Sequence, residues 1–290
     1  MKFWQNVSWM ETDQLLGLAR HAEALGYEGV MDGDHFAFPV TLKTPYPLSA
    51  DGQPPMSSDF NYPDNFAAAA AIAAVTTRLR YMTDIFVLPA RHPLAVAKAA
   101  GTVAILGNHR FVLGVAAGWM KDEFDLVGVD FATRGQRLDE MIEIMRKLWL
   151  GGPVEHHGRF FDFDALRLEP MPGRTVPIFA AGTTKTALKR AALLGDGWRN
   201  GGNTLDEVTG LIAELNRLRH EAGRDHVPFE IVATLVEPPS LDNFRRLEDL
   251  GVHGTLVYPP HFVLGHSSTL EQKKQMLETF AEGFIRHFAG

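Results

Sequence analysis

Between Arg78 and Trp149 the chain runs strand, helix, strand, helix with almost no slack, and this alternation is what most restricts its fold. The segment reads RLRYMTDIFVLPARHPLAVAKAAGTVAILG, then NHRFVLGVAAGWMKDEFDLVGVDFATRGQRLDEMIEIMRKLW. The apolar positions of each strand are nearly continuous, as in a parallel strand covered on both faces. Small and polar residues gather where each strand stops: Thr83 and Asp84 in one, Ala117, Gly118 and Trp119 in the other. In a barrel of repeated strand–helix units those ends build the active site.

The rest of the chain keeps the rhythm. Met1 to Trp9 and Tyr27 to Asp34 read as strands around a helix with Leu15, Leu18, Ala19, Ala22 and Leu25 on its apolar face, Thr12 as its cap and Gly26 as its stop. Later, VPIFAAG, DGWRNGG, FEIVATLV and GTLVYPP read as strands, each followed by an amphipathic helix. The pattern predicts one domain over residues 1–290, an α/β fold of the (β/α)8 TIM-barrel type. An open doubly wound sheet is disfavoured, because no strand is followed by GxGxxG. Two insertions break the repeat. Residues 36–63 contain six prolines and little periodicity, and residues 151–173 carry a hairpin signal near His157-Gly158. Both are expected as loops at the barrel mouth, the second an ordered lid because of Phe160, Phe161 and Phe163.

Composition removes several classes of function. With 28 Lys and Arg against 35 Asp and Glu, the net charge of −7 argues against wholesale binding to nucleic-acid phosphates. There is no cysteine, so disulfides, thiolate catalysis and Cys-ligated zinc are excluded. The start MKFWQNVSWMETDQ lacks a basic n-region and an apolar h-region, and no stretch is apolar enough to span a bilayer, which gives a cytoplasmic expectation. No HxH or HExxH has metal-ligand spacing, and no GxSxG marks a serine hydrolase.

Three constellations stand out. Asp32-Gly33-Asp34-His35 ends the second strand, and a carboxylate beside an imidazole at a barrel mouth is either an acid/base pair or a loop cap with a packed ring. Gly182-Thr183-Thr184 lies between a strand and a helix, where free N–H groups favour a phosphate and where threonine equally serves as a simple N-cap. Lys185, Lys189 and Arg190 follow it. Gly114 to Trp119 leaves room either for a flat ring or for tight barrel packing. Arg91-His92-Pro93 offers charge for a ligand's tail, although a proline at a helix start already explains the turn. Trp4, Trp9 and Met31 read as core.

Taken together, ARHAEALGYEGVMDGDHF, TTRLRYMTDIFVLPARHP, the Leu113–Trp149 block, HGRFFDF and PIFAAGTTKTALKRAALLGDGW resemble the luciferase-like monooxygenase superfamily over nearly the full length. The likeness is greatest to its coenzyme F420 (deazaflavin)-dependent oxidoreductases. That resemblance implies a (β/α)8 barrel, a homodimer, and a redox ring at the C-terminal mouth. It places Asp34 and His35 beside the ring as catalytic residues, with His35 moving the proton. It puts a cis non-proline peptide at Asp84-Ile85 behind the ring, Ala117, Gly118 and Trp119 along the cofactor, and Gly182, Thr183 and Thr184 at its phosphate. Trp119 stands where the glucose-6-phosphate dehydrogenase branch has an acid, which disfavours that sugar phosphate. The implied activity is hydride transfer between the deazaflavin and a small organic substrate. An FMN-dependent monooxygenase using O2 is the alternative, followed by a non-catalytic flavin-binding barrel and a metal-dependent hydrolase.

Overall fold

Most strands of the main sheet are short and largely buried on both faces, so an open sheet would leave apolar edges exposed. The computed structural model, which describes residues 1–47 and 49–288, solves this by closing the sheet on itself. Leu48, Ala289 and Gly290 lie outside the described residues, so the 36–63 insertion and the 1–290 domain are described without them. The first half of the chain comprises β1 (Lys2–Asn6), α1 (Leu15–Leu25), β2 (Gly29–Asp32), α2 (Asn65–Val75), β3 (Arg80–Thr83), β4 (Phe86–Val87), α3 (Pro93–Leu106), β5 (Phe111–Ala116), α4 (Lys121–Leu126) and α5 (Arg134–Trp149). A hairpin of β6 (Val154–His157) and β7 (Asp162–Leu166) follows. The second half comprises β8 (Ile178–Ala181), α6 (Lys185–Leu194), β9 (Gly197–Arg199), α7 (Leu205–Glu221), β10 (Glu230–Val232), α8 (Leu241–Asp249), β11 (Gly254–Val257), α9 (Pro260–Leu264) and α10 (Leu270–Gly283).

All pairings in the main sheet are parallel, and they run β1-β2-β3-β5-β8-β9-β10-β11 and back to β1. This is an eight-stranded (β/α)8 barrel among the described residues, as the alternation predicts. The strand that stops at Thr83 and Asp84 resumes after a break. β3 stops at Thr83, Asp84-Ile85 is a cis non-proline peptide, and β4 then pairs with the end of β5. Helix boundaries follow local chemistry. Gly26 takes the left-handed conformation (φ 87°) that ends α1, and Thr204 and Thr269 close capping boxes at the starts of α7 and α10. Thr12 does not cap α1; it begins a short 3-10 turn.

Inside the barrel, Trp4, Met31, Met82, Val112, Phe179 and Val232 form one buried cluster. Trp4 takes up space that glycine leaves: a Cβ on Gly29 would stand 2.4 Å from the Trp4 ring and 2.6 Å from the Arg80 carbonyl. At the N-terminal end of the barrel Arg80 bridges Glu28 (3.0 Å) and Glu230 (3.1 Å) and lies over the Trp4 ring. The large outer cluster fills the space between the strands and the helices. Trp9 is not core, since its chain leaves β1 at Asn6 and its indole stands at the mouth on Tyr62. No helix of the described residues is long and apolar enough to cross a membrane.

The insertions differ in kind. Among its described residues the 36–63 segment holds no strand or helix, and it is pinned at the mouth. Lys43 and Thr44 donate their N–H groups to Asp122, and Tyr62 packs beside His35. The 151–173 hairpin was expected as a mouth lid, and this is corrected. It lies along the outer helices, with Phe160 and Phe161 donating their N–H groups to Glu140 of α5 and Lys98 of α3 reaching the Glu169 carbonyl. Phe160 and Phe161 lie against Arg137, Phe161 also meets His92 edge-on, and Phe163 packs on His156.

β3 and β5 approach so closely that only glycine fits at 114, where a Cβ would lie 2.1 Å from the Thr83 carbonyl. Gly210 in α7 has open space around it. Gly114→Ala is expected to cost more than about 2 kcal/mol in urea unfolding, whereas Gly210→Ala should stabilise by about 0.5–1 kcal/mol.

Candidate active site

With the interior filled by apolar side chains, polar residues of the sheet lie at its two rims, and those at the C-terminal ends form the candidate site. Asp32 is the last residue of β2 and is 1% exposed. Its Oδ1 has no hydrogen-bond partner, while the neighbouring Gly33 N–H donates to the Ser8 hydroxyl at 2.8 Å. Burial pushes the Asp32 carboxyl up to about 7, and the charges of Asp34 and Asp84 add to the rise. At neutral pH it therefore carries a proton for much of the time.

The strand ends at Asp32, so its alternation does not extend to Asp34. Asp34 turns instead toward β4, where its Oδ2 accepts the Val87 N–H at 2.9 Å and its Oδ1 accepts from Arg91 Nη2 at 2.7 Å. Both oxygens are engaged. The acid/base part expected for Asp34 is corrected to a holding part, tying the His35 segment to β4 and fixing Arg91. That also removes Arg91 as a free charge for a ligand's tail.

His35 follows directly. Its Nδ1 lies 3.2 Å from Oε2 of Glu123, a carboxylate in α4 that is 1% exposed and also accepts the Phe36 N–H. Around the imidazole stand three aromatic rings, Tyr62 at 5.0 Å, Phe38 at 5.3 Å and Trp119 at 6.0 Å, each nearly perpendicular to it. Tyr62 in turn accepts the Trp9 indole N–H at 2.8 Å, and burial raises its phenol, so it stays protonated. Glu123 and Tyr62 were not singled out by the sequence reading. Glu123 sits in an ordinary charged run, KDEF, and carries no sequence mark of being buried.

Across the mouth, Asp84 meets Arg199 at the end of β9. Nε lies 3.0 Å from Oδ1, and Nη2 donates to Oδ2 at 3.1 Å; both side chains are buried. Arg199 also donates to Asn200, whose amide is fixed on the Thr234 backbone. An ion pair of this kind holds both charges inside the protein, and losing one partner would strand the other. The sequence reading passed over Arg199, although an arginine at the end of a buried barrel strand is a signal in itself.

The remaining expected residues come together at the same mouth, half-buried except for the exposed Thr184. Ala117 and Gly118 follow β5, and Gly118 has φ 85°. Trp119 packs edge-on against Tyr46 as well as His35. Gly182, with φ 119°, follows β8 and donates its N–H to the Arg199 carbonyl. Thr184 caps α6 by accepting the Ala187 N–H at 3.2 Å. Thr183 stands between them. Arg190 does not face this turn, because it is buried against Asp139 and the Gly135 carbonyl. Lys185 and Lys189 are exposed.

A closed parallel barrel with its buried acid, imidazole and ion pairs at one end is the arrangement of a barrel enzyme. The chain belongs to the luciferase-like monooxygenase family, whose profile matches residues 4–236, and it is an oxidoreductase of that family. It is 40% identical over 270 residues to the uncharacterized protein Rv0940c of Mycobacterium tuberculosis, covering 92% of this chain and 93% of that one. Among solved structures the fold is similar to monooxygenase RslO1 from Streptomyces bottropensis, with a TM-score of 0.76 and 19% identity over the whole of both chains. It is equally similar to the coenzyme F420-dependent tetrahydromethanopterin reductase of Methanopyrus kandleri, with a TM-score of 0.76 and 15% identity over 99% of each chain.

The raised Asp32 carboxyl links folding to pH. Between its unfolded value of about 4 and its folded value of about 7, the folded chain holds a proton that the unfolded chain has released, so stability falls as pH rises through this window. Asp32→Asn, which mimics the protonated acid, should remove that loss. Its stability in thermal unfolding, relative to wild type, is expected to climb from about pH 5 to about pH 8 by up to about 3 kcal/mol.

Proposed function

We propose that this enzyme is a coenzyme F420-dependent oxidoreductase acting on a small organic substrate with an activated C=C, C=N or carbonyl group. The observation that carries the reading is the His35–Glu123 pair, a buried imidazole held at one nitrogen and caged by aromatics at a barrel mouth. The choice of deazaflavin rests on the sequence likeness to that branch.

The residues at the strand ends fit a flat ring with a phosphorylated tail. Gly33, Ala117, Gly118 and Gly182 are small and half-buried, and Asp32 Oδ1 is a buried polar atom with no partner. Asp84, Ile85, Ala117, Gly118 and Trp119 would hold the ring; Gly182, Thr183 and Thr184 would hold the phosphate at the start of α6. Deazaflavin supplies a hydride at C5 when bound. His35, held at Nδ1 by Glu123, exchanges the accompanying proton with the substrate through Nε2. Tyr62, Phe38 and Trp119 keep water from the imidazole. The Asp34–Arg91 and Asp84–Arg199 pairs present no free charge to the substrate, which suits a neutral molecule. The reading extends to a homodimer in the cytoplasm.

An FMN-dependent monooxygenase that consumes O2 is the second reading, favoured by the family's own description. Fluorescence titration with F420 and with FMN tests the choice. Binding of F420 is expected, and tight binding of FMN with no affinity for F420 would overturn it. In the loaded enzyme, His35→Ala should lower turnover about 100-fold or more while moving the cofactor Kd less than about threefold. Glu123→Gln should lower turnover about tenfold and shift the pH–rate profile, because the imidazole loses its orienting charge.

A further inference from the structure

Trp9, just past the end of β1, has φ 67°. A bulky residue is strained in that left-handed region, and such strain persists only where the surroundings enforce it. Phe60, His261 and Phe262 all pack against the indole. The result is a fixed N–H aimed at the Tyr62 hydroxyl, which accepts it at 2.8 Å.

That bond leaves the phenol half used. A hydroxyl has one donor and two lone pairs, and Trp9 fills one lone pair. The hydroxyls of Tyr27 and Tyr258 donate to backbone carbonyls, at 3.2 and 2.9 Å. The Tyr62 O–H meets no acceptor among the described residues, and burial keeps it protonated. Its place is central. Tyr62 Cε1, bonded to the hydroxyl-bearing carbon, lies 3.7 Å from where a Cβ on Gly33 would stand, and the Asp84 carbonyl oxygen is equally far from that point. The phenol end therefore hangs over the ends of β2 and β3, and the Trp9 bond ties it to that of β1. The residue is half-buried, and the His35 ring stands 5.0 Å away. Nearby charges are already paired: Asp34 with Arg91, Asp84 with Arg199 and Glu123 with His35. The unpaired Asp32 Oδ1 makes no bond to the phenol either. What the open donor lacks is an acceptor, and polar groups in such surroundings are nearly always hydrogen-bonded.

We infer that Tyr62 is a catalytic residue that donates its O–H to the substrate's oxygen, which narrows the substrate to a carbonyl compound, a ketone or an enone. The inference rests on the F420-dependent reading of the site. A protonated imine has no lone pair to offer the phenol. The flat apolar body of the carbonyl compound lies against Phe38 and Trp119, the other rings around His35. As a hydride from reduced deazaflavin reaches the substrate carbon, the C=O π electrons pass to the oxygen, where the phenol stabilises the charge. The proton from His35 then completes the alcohol or, in an enone, the saturated ketone, and the deazaflavin is left oxidised.

Acetophenone and α-methylstyrene share a shape and differ in C=O against C=CH2. Ligand-observed NMR titrations of the full chain, alone and with oxidised F420, which can reduce neither, report their affinities without turnover. Acetophenone is expected to bind wild type at least about fivefold more tightly, and Tyr62→Phe should bring the two ligands within about twofold of each other. A packing role for Tyr62 would weaken both alike and leave the preference. The variant keeps the ring, and its melting temperature and F420 Kd should match wild type. The inference is overturned if wild type binds neither ligand, if it binds both equally, or if the preference survives in Tyr62→Phe. A Tyr62-dependent preference on the chain alone, with no affinity for F420, would sink the cofactor reading and leave the role of Tyr62 standing.

Discussion

Closure of the sheet is the constraint from which the other features follow. Once β3 pairs with β5, every inward side chain shares one narrow interior, and Trp4 and Phe179 occupy much of it. Trp4 fits because Gly29 and Gly254 yield the space beside its ring. With the interior full, polar groups have only the two rims available. The N-terminal rim carries a structural ion cluster around Arg80, and the C-terminal rim carries the chemistry.

At that second rim the charges are arranged in matched sets. Asp34 faces Arg91, Asp84 faces Arg199 and His35 faces Glu123; burial raises the proton affinity of both Asp32 and Asp34, and only Asp34 has a cation beside it to oppose the rise. A buried ion pair contributes little net stability, because desolvation offsets the attraction. Its effect here is geometric. The Asp84–Arg199 ion pair ties the break between β3 and β4 to the end of β9, across the barrel opening. On the proposed reading, a redox ring at this rim would meet a stiff, locally balanced surround.

The barrel was legible in the sequence because strands buried on both faces and amphipathic helices have different apolar periods, and the two alternate from Met1 onward. The location of the site was legible too: Asp32, His35, Ala117, Gly118, Trp119 and Gly182 all lie where strands end. What escaped was pairing. Glu123 looks like any surface glutamate in a charged run, and only the approach of α4 to the His35 segment buries it. Asp34 seemed free until Arg91, far along the chain, was seen to engage it. The 151–173 hairpin misled for a related reason. Its phenylalanines signal burial, and sequence does not say whether they cover a ligand or, as found, the helices α3 and α5.

Glu123 grips two things with one carboxylate: the ring of His35 and the backbone of Phe36, where the long proline-rich segment begins. The first link of that segment and the imidazole are thus fastened to a common peg. Exchanging the rest of the segment for one of another length or composition leaves the peg in place, so this architecture can revise what it admits without rebuilding what it does.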